Sequence, residues 1–468
     1  MKILILTHGF PPHHTAGTES YAADLGVALA ERGHEVRVFT AHKDISVPNY
    51  RVTRREWRGL VVHEIHNNLF HREFEETYAN THVEAAFEDV LAEFEPDVLH
   101  VQHLLYLSGG CIAAARARGA VVVFTLHDFW LECPRFGQRV HADGGLCDTI
   151  DFRRCGTCLP SFKFGNTGLV RTVGGMIAGI KSGTGIDLGP MARSAAKNWR
   201  GQATGDSADA VDDETAQRFE ALARERTQHL QRAVVPEVDL FLSPSRFLRD
   251  RFVREWNIPP ARIEYLRFGM DVQAPPRRER ALGGPLRVAF LGSLVPLKGA
   301  HILIEAWSGL AASVRARGEL KLYGPARHHP EYQDALARAA EACGAILAGK
   351  IERDEVLSTL AETDLLVVPS LWFENAPLVI LEALAARTPL LVSNLGGMAE
   401  LVESGVSGFH FEMGNAQALA TTLQAALEGR LGLERLYAHP PEIPTFRAHV
   451  DVIEAHYATA RARGRMGA

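Results

Sequence analysis

The sequence has no Gly-x-Gly-x-x-Gly motif in residues 8–18, which join its first predicted strand to its first predicted helix. Dinucleotide-binding dehydrogenases use those glycines to bring the backbone close to a pyrophosphate. The chain also lacks an excess of positive charge, since its formal net charge is -6 and its isoelectric point is near 6.4. These absences argue against a dehydrogenase and against a nucleic-acid-binding protein driven by bulk electrostatics.

Neither a secretory signal nor a membrane span is recognisable in the sequence. Lys2 is followed at once by a strand-like run and then by Pro11-Pro12, and the glycine-rich segment 168–189 is interrupted by charged residues. We therefore expect a cytoplasmic protein, in which the six cysteines are poor candidates for structural disulfides. Arginine runs within residues 51–58 and 246–254 add an expectation of peripheral contact with the inner membrane surface.

Strand-like and helix-like segments alternate in both halves of the chain. Such alternation predicts parallel sheets with helices on both faces. A linker rich in proline, arginine and glycine at residues 275–285 separates a first domain, residues 1–275, from a second of the same kind, residues 286–443. Weak periodicity over residues 164–214 predicts a long insertion in the first domain. The amphipathic segment 444–468 predicts a C-terminal helix that crosses back to the first domain.

Four cysteines lie within a loop-like stretch of the first domain, residues 133–158, which is rich in glycine, proline and aspartate. They are Cys133, Cys147, Cys155 and Cys158, and the last two form a Cys-x-x-Cys motif. Four thiolates at such spacings can wrap a tetrahedral zinc ion and so stabilise a loop that is poor in apolar residues. We therefore expect a structural zinc site, with an iron–sulfur cluster or unligated redox thiols as the alternatives.

Two features of the first domain fall near predicted strand ends, where open α/β sheets bind their ligands. Gly17 stands at the start of the first helix and would let the backbone approach a ligand closely. His127 belongs to a Thr-Leu-His-Asp sequence after a predicted strand, where it can bind a sugar hydroxyl or move a proton near neutral pH. Each also has a structural interpretation, as a turn glycine and as a structural histidine.

The second domain carries two glutamates beside a helix start. Glu374 lies in the entry loop and Glu382 lies in the helix, so that both side chains project to roughly the same side. The helix start between them offers unpaired N–H groups and a positive dipole end, which favour a phosphate. Lys298 stands at another helix start, where a charge-assisted contact with a diphosphate would contribute about 1.5–3 kcal/mol. The alternative is that all three side chains are merely solvated.

Taken together and in this order, the motifs resemble those of the family 4 glycosyltransferases. The matching features are Gly17-Thr18-Glu19, the Thr-Leu-His-Asp sequence 125–128, segment 292–299 with Lys298, the Glu374-x7-Glu382 pair, and Gly396-Gly397 with Glu400. The resemblance implies the GT-B fold, in which two Rossmann-like α/β domains with parallel sheets face each other across a cleft. The cysteine-containing loop after the His-Asp motif is similar to that of a subset of the family.

The resemblance implies a retaining transferase that moves a sugar from a nucleoside diphosphate, UDP or GDP, to a saccharide, lipid-linked or small-molecule acceptor. By it, Glu382 binds the ribose and Lys298 binds the diphosphate. Glu374 lies beneath the donor sugar, either as a transient nucleophile or as a guide for same-face substitution. Gly17 and His127 contact the donor from the first domain. Donor oxygens are received at the helix start by Ala376, Pro377, Leu378 and Val379.

The resemblance implies no catalytic metal, because Lys298 and the helix dipoles can neutralise the leaving diphosphate. Ser293 departs from the family's pattern, since members commonly have an arginine there that joins the lysine on the diphosphate. We expect either a substitute cation, Arg327 or His301, or weaker phosphate binding.

The alternatives are a GT-B-like epimerase or phosphorylase and a catalytically weak or silent sugar-nucleotide-binding scaffold protein. A phosphorylase would need a cofactor lysine or a set of phosphate-binding arginines, which the sequence does not reveal. The intact glutamate pair, Lys298 and His127 argue against a silent protein, whereas Ser293 keeps that alternative open.

Overall fold

The computed structural model describes residues 1–165, 211–271, 275–276, 284–325, 329–436 and 442–466. The chain divides into two compact units. The first comprises Met1–Ser243, Phe252–Glu264 and Val450–Ala468, and the second comprises Pro244–Arg251 and Tyr265–His449. The predicted domain boundaries at residues 275 and 286 stay predictions. Most of the predicted insertion 164–214 falls on residues 166–210, which lie outside the described residues.

The larger sheet organises the first unit. Its strands are β1 (Lys2–Thr7), β2 (Glu35–His42), β3 (Val52–Trp57), β4 (Leu60–His66), β5 (Val98–Val101), β6 (Val121–Thr125), β7 (Leu240–Ser243) and β8 (Ile263–Tyr265). They lie in the order β3-β4-β2-β1-β5-β6-β7-β8. Strands β4, β2, β1, β5, β6 and β7 run parallel, whereas β3 and β4 form an antiparallel pair at one edge.

Side chains cap several of the helices described before the second sheet. The helices of this part of the chain are α1 (Gly17–Glu31), α2 (Thr81–Phe94), α3 (Gly110–Ala117), α4 (Phe152–Cys158), α5 (Asp213–Ala233) and α6 (Arg246–Glu255). The Asn80 side chain accepts from the amides of His82 and Val83 at the start of α2, and Asp212 accepts from the Thr215 amide at the start of α5. Such caps satisfy N–H groups that lack a partner in the first turn.

Apolar residues on both faces of the sheet form the core of the first unit. Ile3, Leu4, Ile5 and Leu6 of β1 are all fully buried. Since successive side chains of a strand point to opposite faces, this run needs cover on both sides of the sheet, as in a doubly wound parallel sheet. Each such side chain contributes about 1.5–3 kcal/mol relative to the exposed state.

The second unit is built on a smaller parallel sheet. Its strands are β9 (Leu286–Leu291), β10 (Gly318–Tyr323), β11 (Ile346–Gly349), β12 (Leu365–Val368), β13 (Leu390–Ser393) and β14 (Gly408–Phe411). The order is β11-β10-β9-β12-β13-β14, and every neighbouring pair is parallel. The helices are α7 (Ala300–Ser308), α8 (Ala312–Arg315), α9 (Pro330–Cys343), α10 (Val356–Ala361), α11 (Leu378–Ala385), α12 (Gly396–Leu401) and α13 (Ala416–Leu427).

The last helix, α14 (Phe446–Met466), contributes most of its length to the first unit. The Tyr457 hydroxyl is fully buried with its oxygen 2.6 Å from His100 Nδ1, and Arg32 forms an ion pair with Asp451 at 2.8 Å. Of all the helices in the described ranges, none is long and apolar enough to cross a membrane.

Candidate active site

Lys298 and Glu374 meet beside the carboxyl ends of β9 and β12, which are neighbours in the smaller sheet. The Lys298 ammonium lies 2.5 Å from Glu374 Oε1. The same oxygen accepts hydrogen bonds from the Ser370 hydroxyl at 3.0 Å and from the Trp372 indole N–H at 2.9 Å. Three donors therefore hold one carboxylate oxygen in place. Ser370 and Trp372 were not predicted as site residues, although both lie within four positions of Glu374.

Gly299 allows the two loops that carry these side chains to approach each other. Its φ of 72° lies in the left-handed region, and a Cβ there would collide with the Pro369 carbonyl oxygen. The Leu371 amide donates to the Leu297 carbonyl oxygen at 2.8 Å and joins the same loops. A side chain at position 299 would force the loops apart, and with them Lys298 and Glu374.

Glu382 forms a separate feature of the second unit. It lies on α11, where burial raises the pKa of its carboxyl group and the charge of Arg353 partly opposes this shift. Within the described part of the chain, Glu382 makes no hydrogen bond or ion pair with Lys298 or Glu374. The structure therefore brings Lys298 and Glu374 into contact, whereas Glu382 is influenced by the charge of Arg353.

The start of α11 offers hydrogen-bond donors to a ligand. Pro377 is the residue before the helix, and no side chain caps this end. The first amides of the helix, at Leu378 and Val379, therefore have no partner in a preceding turn. Ala376 precedes the proline and is partly exposed.

The Gly396-Gly397 motif and Glu400 make contacts that stabilise the local backbone. The Gly397 amide donates to the Glu374 carbonyl oxygen at 2.8 Å, so this turn fixes the backbone of Glu374. Glu400 accepts from the amides of Arg246 and Phe247 at 3.0 and 2.9 Å and thereby caps α6. A carboxylate is favourable at a helix N-terminus because of the dipole.

The substitute for the cation missing at Ser293 stays a prediction. His301 Nδ1 lies 3.1 Å from the Tyr332 hydroxyl, so this ring is engaged with a neighbour on α9. Arg327 lies outside the described residues. Ser293 itself is partly exposed in the loop after β9.

His127 follows β6 in the first unit and is held by two neighbours. Its Nε2 lies 2.8 Å from Gln102 Oε1, and its ring meets Tyr21 edge to face with centroids 5.3 Å apart. Burial, with a smaller contribution from the charge of His103, lowers the pKa of His127 to about 3. The imidazole is therefore neutral at pH 7, where it can exchange hydrogen bonds but carries no charge.

Two carboxylate–histidine pairs lie at the same sheet edge, and the sequence interpretation missed both histidines. Glu19 Oε1 lies 3.2 Å from His8 Nε2, and Asp128 Oδ2 lies 2.9 Å from His103 Nε2. The Leu105 amide donates to His103 Nδ1 at 3.0 Å, so the proton of that ring is on Nε2 and points to Asp128. The positions of His8 and His103, each just beyond a buried strand, were the available signal.

Gly17 is the first residue of α1 and is exposed. The preceding Ala16 has no side chain that can cap the helix. A glycine here leaves the amides of the first turn accessible to a ligand. Its predicted contact with the donor stays a prediction.

The four cysteines line one cavity of the first unit: Cys133, Cys147, Cys155 and Cys158. Cys155 and Cys158 lie on helix α4, where the sequence predicted a loop, because Asp151 caps the helix by accepting from the amides of Arg153 and Arg154. Burial, together with the charges of the other three thiols, raises the pKa of Cys155 to about 12. Among the described residues, no group of three or more His, Cys, Asp or Glu side chains has the arrangement of a formed metal site.

Two family models match the chain over the regions that hold these residues. Residues 274–439 match the model described as glycosyl transferases group 1, and residues 16–148 match the model described as glycosyl transferase 4-like domain. The two matches support the predicted assignment of the chain to the family 4 glycosyltransferases. The first match contains Lys298, Glu374 and Glu382, and the second contains Gly17 and His127.

The curated relatives of this chain have several different names. The chain is 30% identical over 230 residues to the D-inositol 3-phosphate glycosyltransferase of Rhodococcus opacus, covering 45% of the chain and 50% of the relative. It is 29% identical over 214 residues to the glycogen synthase of Mycobacterium tuberculosis, covering 43% and 49%. The chain thus spans about half the length of the curated relatives it matches.

Solved structures confirm the predicted GT-B fold of this chain. The sucrose-phosphate synthase of Thermosynechococcus elongatus matches with a TM-score of 0.61 at 18% identity, covering 99% of this chain and 100% of that one. HepE of Anabaena, solved with UDP-glucose, matches with a TM-score of 0.52 at 15% identity, covering 100% and 99%. At such identities the likeness concerns the fold alone.

Proposed function

We propose that this protein is a retaining glycosyltransferase that moves a sugar from a nucleoside-diphosphate sugar to an acceptor hydroxyl. The observation that carries the proposal is the contact between Lys298 and Glu374 at the carboxyl ends of β9 and β12. Ligands of open α/β sheets bind at such strand ends. A cation and a carboxylate in contact there suit a ligand with a diphosphate at one end and sugar hydroxyls at the other.

Lys298 is the group that would neutralise the leaving diphosphate. An ammonium has three donor hydrogens, and Glu374 takes one of them in this structure. The unpaired amides at the start of α11, at Leu378 and Val379, would add donors and a positive dipole end for the same oxygens. Ser293 would contribute a hydroxyl in place of the family's arginine. This set of donors does the work that a divalent metal does in other transferases.

We assign Glu374 to positioning of the donor sugar. Lys298, Ser370 and Trp372 all direct a hydrogen to the same carboxylate oxygen, which fixes that oxygen and lowers its reactivity as a nucleophile. The new glycosidic bond would then form on the face from which the diphosphate leaves, with the acceptor proton passing to the departing phosphate. Glu382, whose pKa is raised by burial, would accept hydrogen bonds from the ribose diol.

The first domain would supply neutral contacts. His127 has a pKa of about 3 because of burial, so its imidazole would exchange a hydrogen bond with a sugar hydroxyl without placing a charge near the anomeric carbon. Gly17 would let the start of α1 approach the donor phosphates.

The test is a donor screen that measures nucleotide release by the purified chain with UDP-, GDP- and ADP-sugars. UDP-glucose is the first donor to try, because HepE of Anabaena was solved with it. Release with one donor, increased by an acceptor, is expected. Conversion of a donor to its epimer without release would identify an epimerase, and nucleotide binding with neither reaction would identify a silent binding protein.

The acceptor and its location belong to the same proposal. The relatives bear the names of an inositol phosphate transferase and a glycogen synthase, so acceptors differ widely within the family. We propose a cytoplasmic enzyme whose exposed Arg246 and Arg254 contact the inner membrane surface when the acceptor is lipid-linked, whereas Arg251 of the same segment is buried and takes no part. Sedimentation with anionic and with neutral vesicles tests this, and equal sedimentation with both would contradict it.

We also propose that Cys133, Cys147, Cys155 and Cys158 hold a structural zinc ion. Four thiols that line one cavity provide the soft ligands that zinc takes in structural sites, and metal binding would drive off the protons that burial retains on Cys133, Cys147 and Cys155. About one zinc per chain is expected by elemental analysis, lost in a Cys155→Ser/Cys158→Ser variant and kept in Cys343→Ser. Iron with visible absorption would indicate a cluster, and metal-free protein of normal stability would contradict both.

A further inference from the structure

Lys43 presents a cation at the carboxyl edge of the larger sheet. It follows β2 directly and its residue is exposed. Its ammonium lies 3.5 Å from the centroid of the Tyr106 ring, in the loop after β5. Within the described ranges, Lys43 forms no ion pair with any carboxylate. A cation that rests on an aromatic face keeps its hydrogens available to an anionic ligand.

Tyr106 is held in a backbone conformation that tyrosine rarely adopts. Its φ is 64°, in the left-handed region. Its carbonyl oxygen accepts a hydrogen bond at 2.9 Å from the amide of Asn67, which is itself buried. Strained residues of this kind persist where the surroundings fix them, and they are concentrated at ligand sites. The backbone of Tyr106, whose ring lies below Lys43, is thus held in a fixed conformation.

Two neutral imidazoles lie near the same cation. Burial lowers the pKa values of His14 and His42, and the charge of Lys43 adds to the effect on His14. The rings of His14 and His42 have centroids 5.9 Å apart. At pH 7 each ring can donate one N–H but carries no charge, so Lys43 is the source of positive charge in this group.

The carboxylates around this edge are already engaged. The pairs are Glu19 with His8, Asp44 with Ser46, Glu64 with Arg55 and Glu76 with His71. Arg55 neutralises Glu64, and the other three carboxylates have a histidine or serine partner, whereas Lys43 forms no ion pair among the described residues. The Lys43 ammonium is therefore the cation that an anionic ligand would contact.

The loop that carries Tyr106 is connected to the segment of His127, the predicted catalytic residue of its own domain. Leu105, which precedes Tyr106, donates its amide hydrogen to His103 Nδ1 at 3.0 Å, and His103 contacts Asp128 at 2.9 Å. Asp128 is the neighbour of His127 in the sequence. A group bound over Tyr106 would thus lie on the segment that orients the His-Asp motif.

We infer that Lys43 and Tyr106, with His14 and His42, form a subsite for a phosphate or carboxylate group of the acceptor. The inference rests on the proposed transferase function and gives its substrate class, an acceptor that is anionic near the hydroxyl to be glycosylated. Lys43 attracts the charge, the imidazoles donate hydrogen bonds, and the Tyr106 face packs against the sugar or polyol ring.

The first test is binding of inorganic phosphate, which requires no turnover. Lys298→Ala protein serves as the background, so that phosphate binding at the donor site is weakened. Saturable binding by calorimetry is expected, at least about tenfold weaker after Lys43→Gln and retained after Lys43→Arg. The exposed Lys163 provides the matched control, Lys163→Gln. Binding that is absent, or equal in the Lys43→Gln protein, overturns the inference.

The second test uses turnover with acceptors that differ only in charge. With the donor found by the screen, transfer to glucose 6-phosphate, glucuronate and inositol 1-phosphate is compared with transfer to glucose and inositol. The charged members should have at least about tenfold higher kcat/KM, and Lys43→Gln should remove this preference through KM. Vesicles of phosphatidylcholine with phosphatidylinositol, compared with inositol 1-phosphate, distinguish a lipid headgroup from a soluble phosphate.

The two proposals fail in different ways. Acceptor-independent hydrolysis of the donor measures the Lys298 site alone, so its absence with every donor counts against the proposed function while phosphate binding at Lys43 is still measured directly. Normal donor hydrolysis with a preference for neutral acceptors, unchanged by Lys43→Gln, overturns the anionic subsite and leaves the proposed function standing.

Discussion

The two candidate regions of this chain differ in their electrostatics. In the second unit, Lys298 and Glu374 place opposite charges in contact, with hydrogen-bond donors from Ser370 and Trp372. In the first unit, His127 is kept neutral by burial. A leaving diphosphate develops negative charge and needs a fixed cation, whereas a sugar hydroxyl needs a neutral partner. The difference shows which end of the reaction each domain is suited to serve.

Residues that shape the backbone around the site differ from the residues proposed to bind the donor. Gly299 and Gly397 allow backbone segments to touch, and Glu400 caps a helix. Lys298 and Glu374 instead meet where two strands end. Variants of the second group should alter kinetics, while variants of the first should alter folding.

The largest expected effect is that of Lys298→Ala. If Lys298 neutralises the leaving diphosphate, its removal should lower kcat/KM for the donor by roughly 100- to 1,000-fold, as for loss of a donor to a developing oxyanion. Lys350→Ala is the control, because Lys350 forms an exposed ion pair with Glu352 at 2.7 Å. Normal nucleotide release by the Lys298→Ala enzyme would contradict the assignment of Lys298 to the leaving diphosphate.

Glu382→Ala should have the next largest effect, on nucleotide affinity. A carboxylate that accepts from a ribose diol contributes about 1.5–3 kcal/mol, so the Kd for the free nucleoside diphosphate should rise by about tenfold or more. Glu341→Ala, an exposed glutamate on α9, provides the control. Calorimetry gives the measurement, and an unchanged Kd would sink the ribose assignment.

His127→Asn should reduce turnover by about tenfold, the loss of one hydrogen bond, at every pH near neutrality. Because the pKa of His127 is about 3, the wild-type rate should show no ionisation of this residue between about pH 6 and 7. A change in the wild-type rate near pH 6.5 that disappears in the variant would show that the imidazole titrates there. It would contradict the claim that His127 stays neutral.

The smallest effect concerns acid stability. The folded pKa of His127, about 3, lies below the ordinary value of 6.5, so the unfolded chain binds its proton first as the pH falls. The free energy of unfolding should therefore decrease below about pH 6.5, with up to about 1.4 kcal/mol per pH unit from this residue. His127→Asn should remove that part of the slope, whereas His82→Asn, an exposed histidine, should not. Urea titrations at several pH values measure it, and equal slopes would contradict it.

Much of the fold follows from local patterns. The apolar runs of β1, β9 and β13 predict buried parallel strands. The helices between them are predicted by the spacing of their apolar residues. Strand β3 was missed because its sequence, Val-Thr-Arg-Arg-Glu-Trp, carries three charges on an exposed edge. The cysteine loop was predicted to lack a helix, yet Asp151 caps one there.

The candidate site was predictable in part. Lys298, Glu374 and His127 stand next to buried strands in motifs that the family shares, so residue type and position were informative. His8, His103 and Trp372 belong to no such motif, and their roles depend on which loops the sheet brings together. Sequence distance conceals these contacts, because Val101 at the end of β5 is far from Leu6 along the chain, yet the two residues are partners in the β1–β5 register.

The most direct test of the account is the anomeric configuration of the transferred sugar, followed by proton NMR during turnover. With an α-linked nucleotide sugar as donor, the Lys298–Glu374 site is expected to form an α-glycosidic product as the first species detected. An initial β-glycosidic product would show inversion, and it would contradict transfer from the face on which the diphosphate departs.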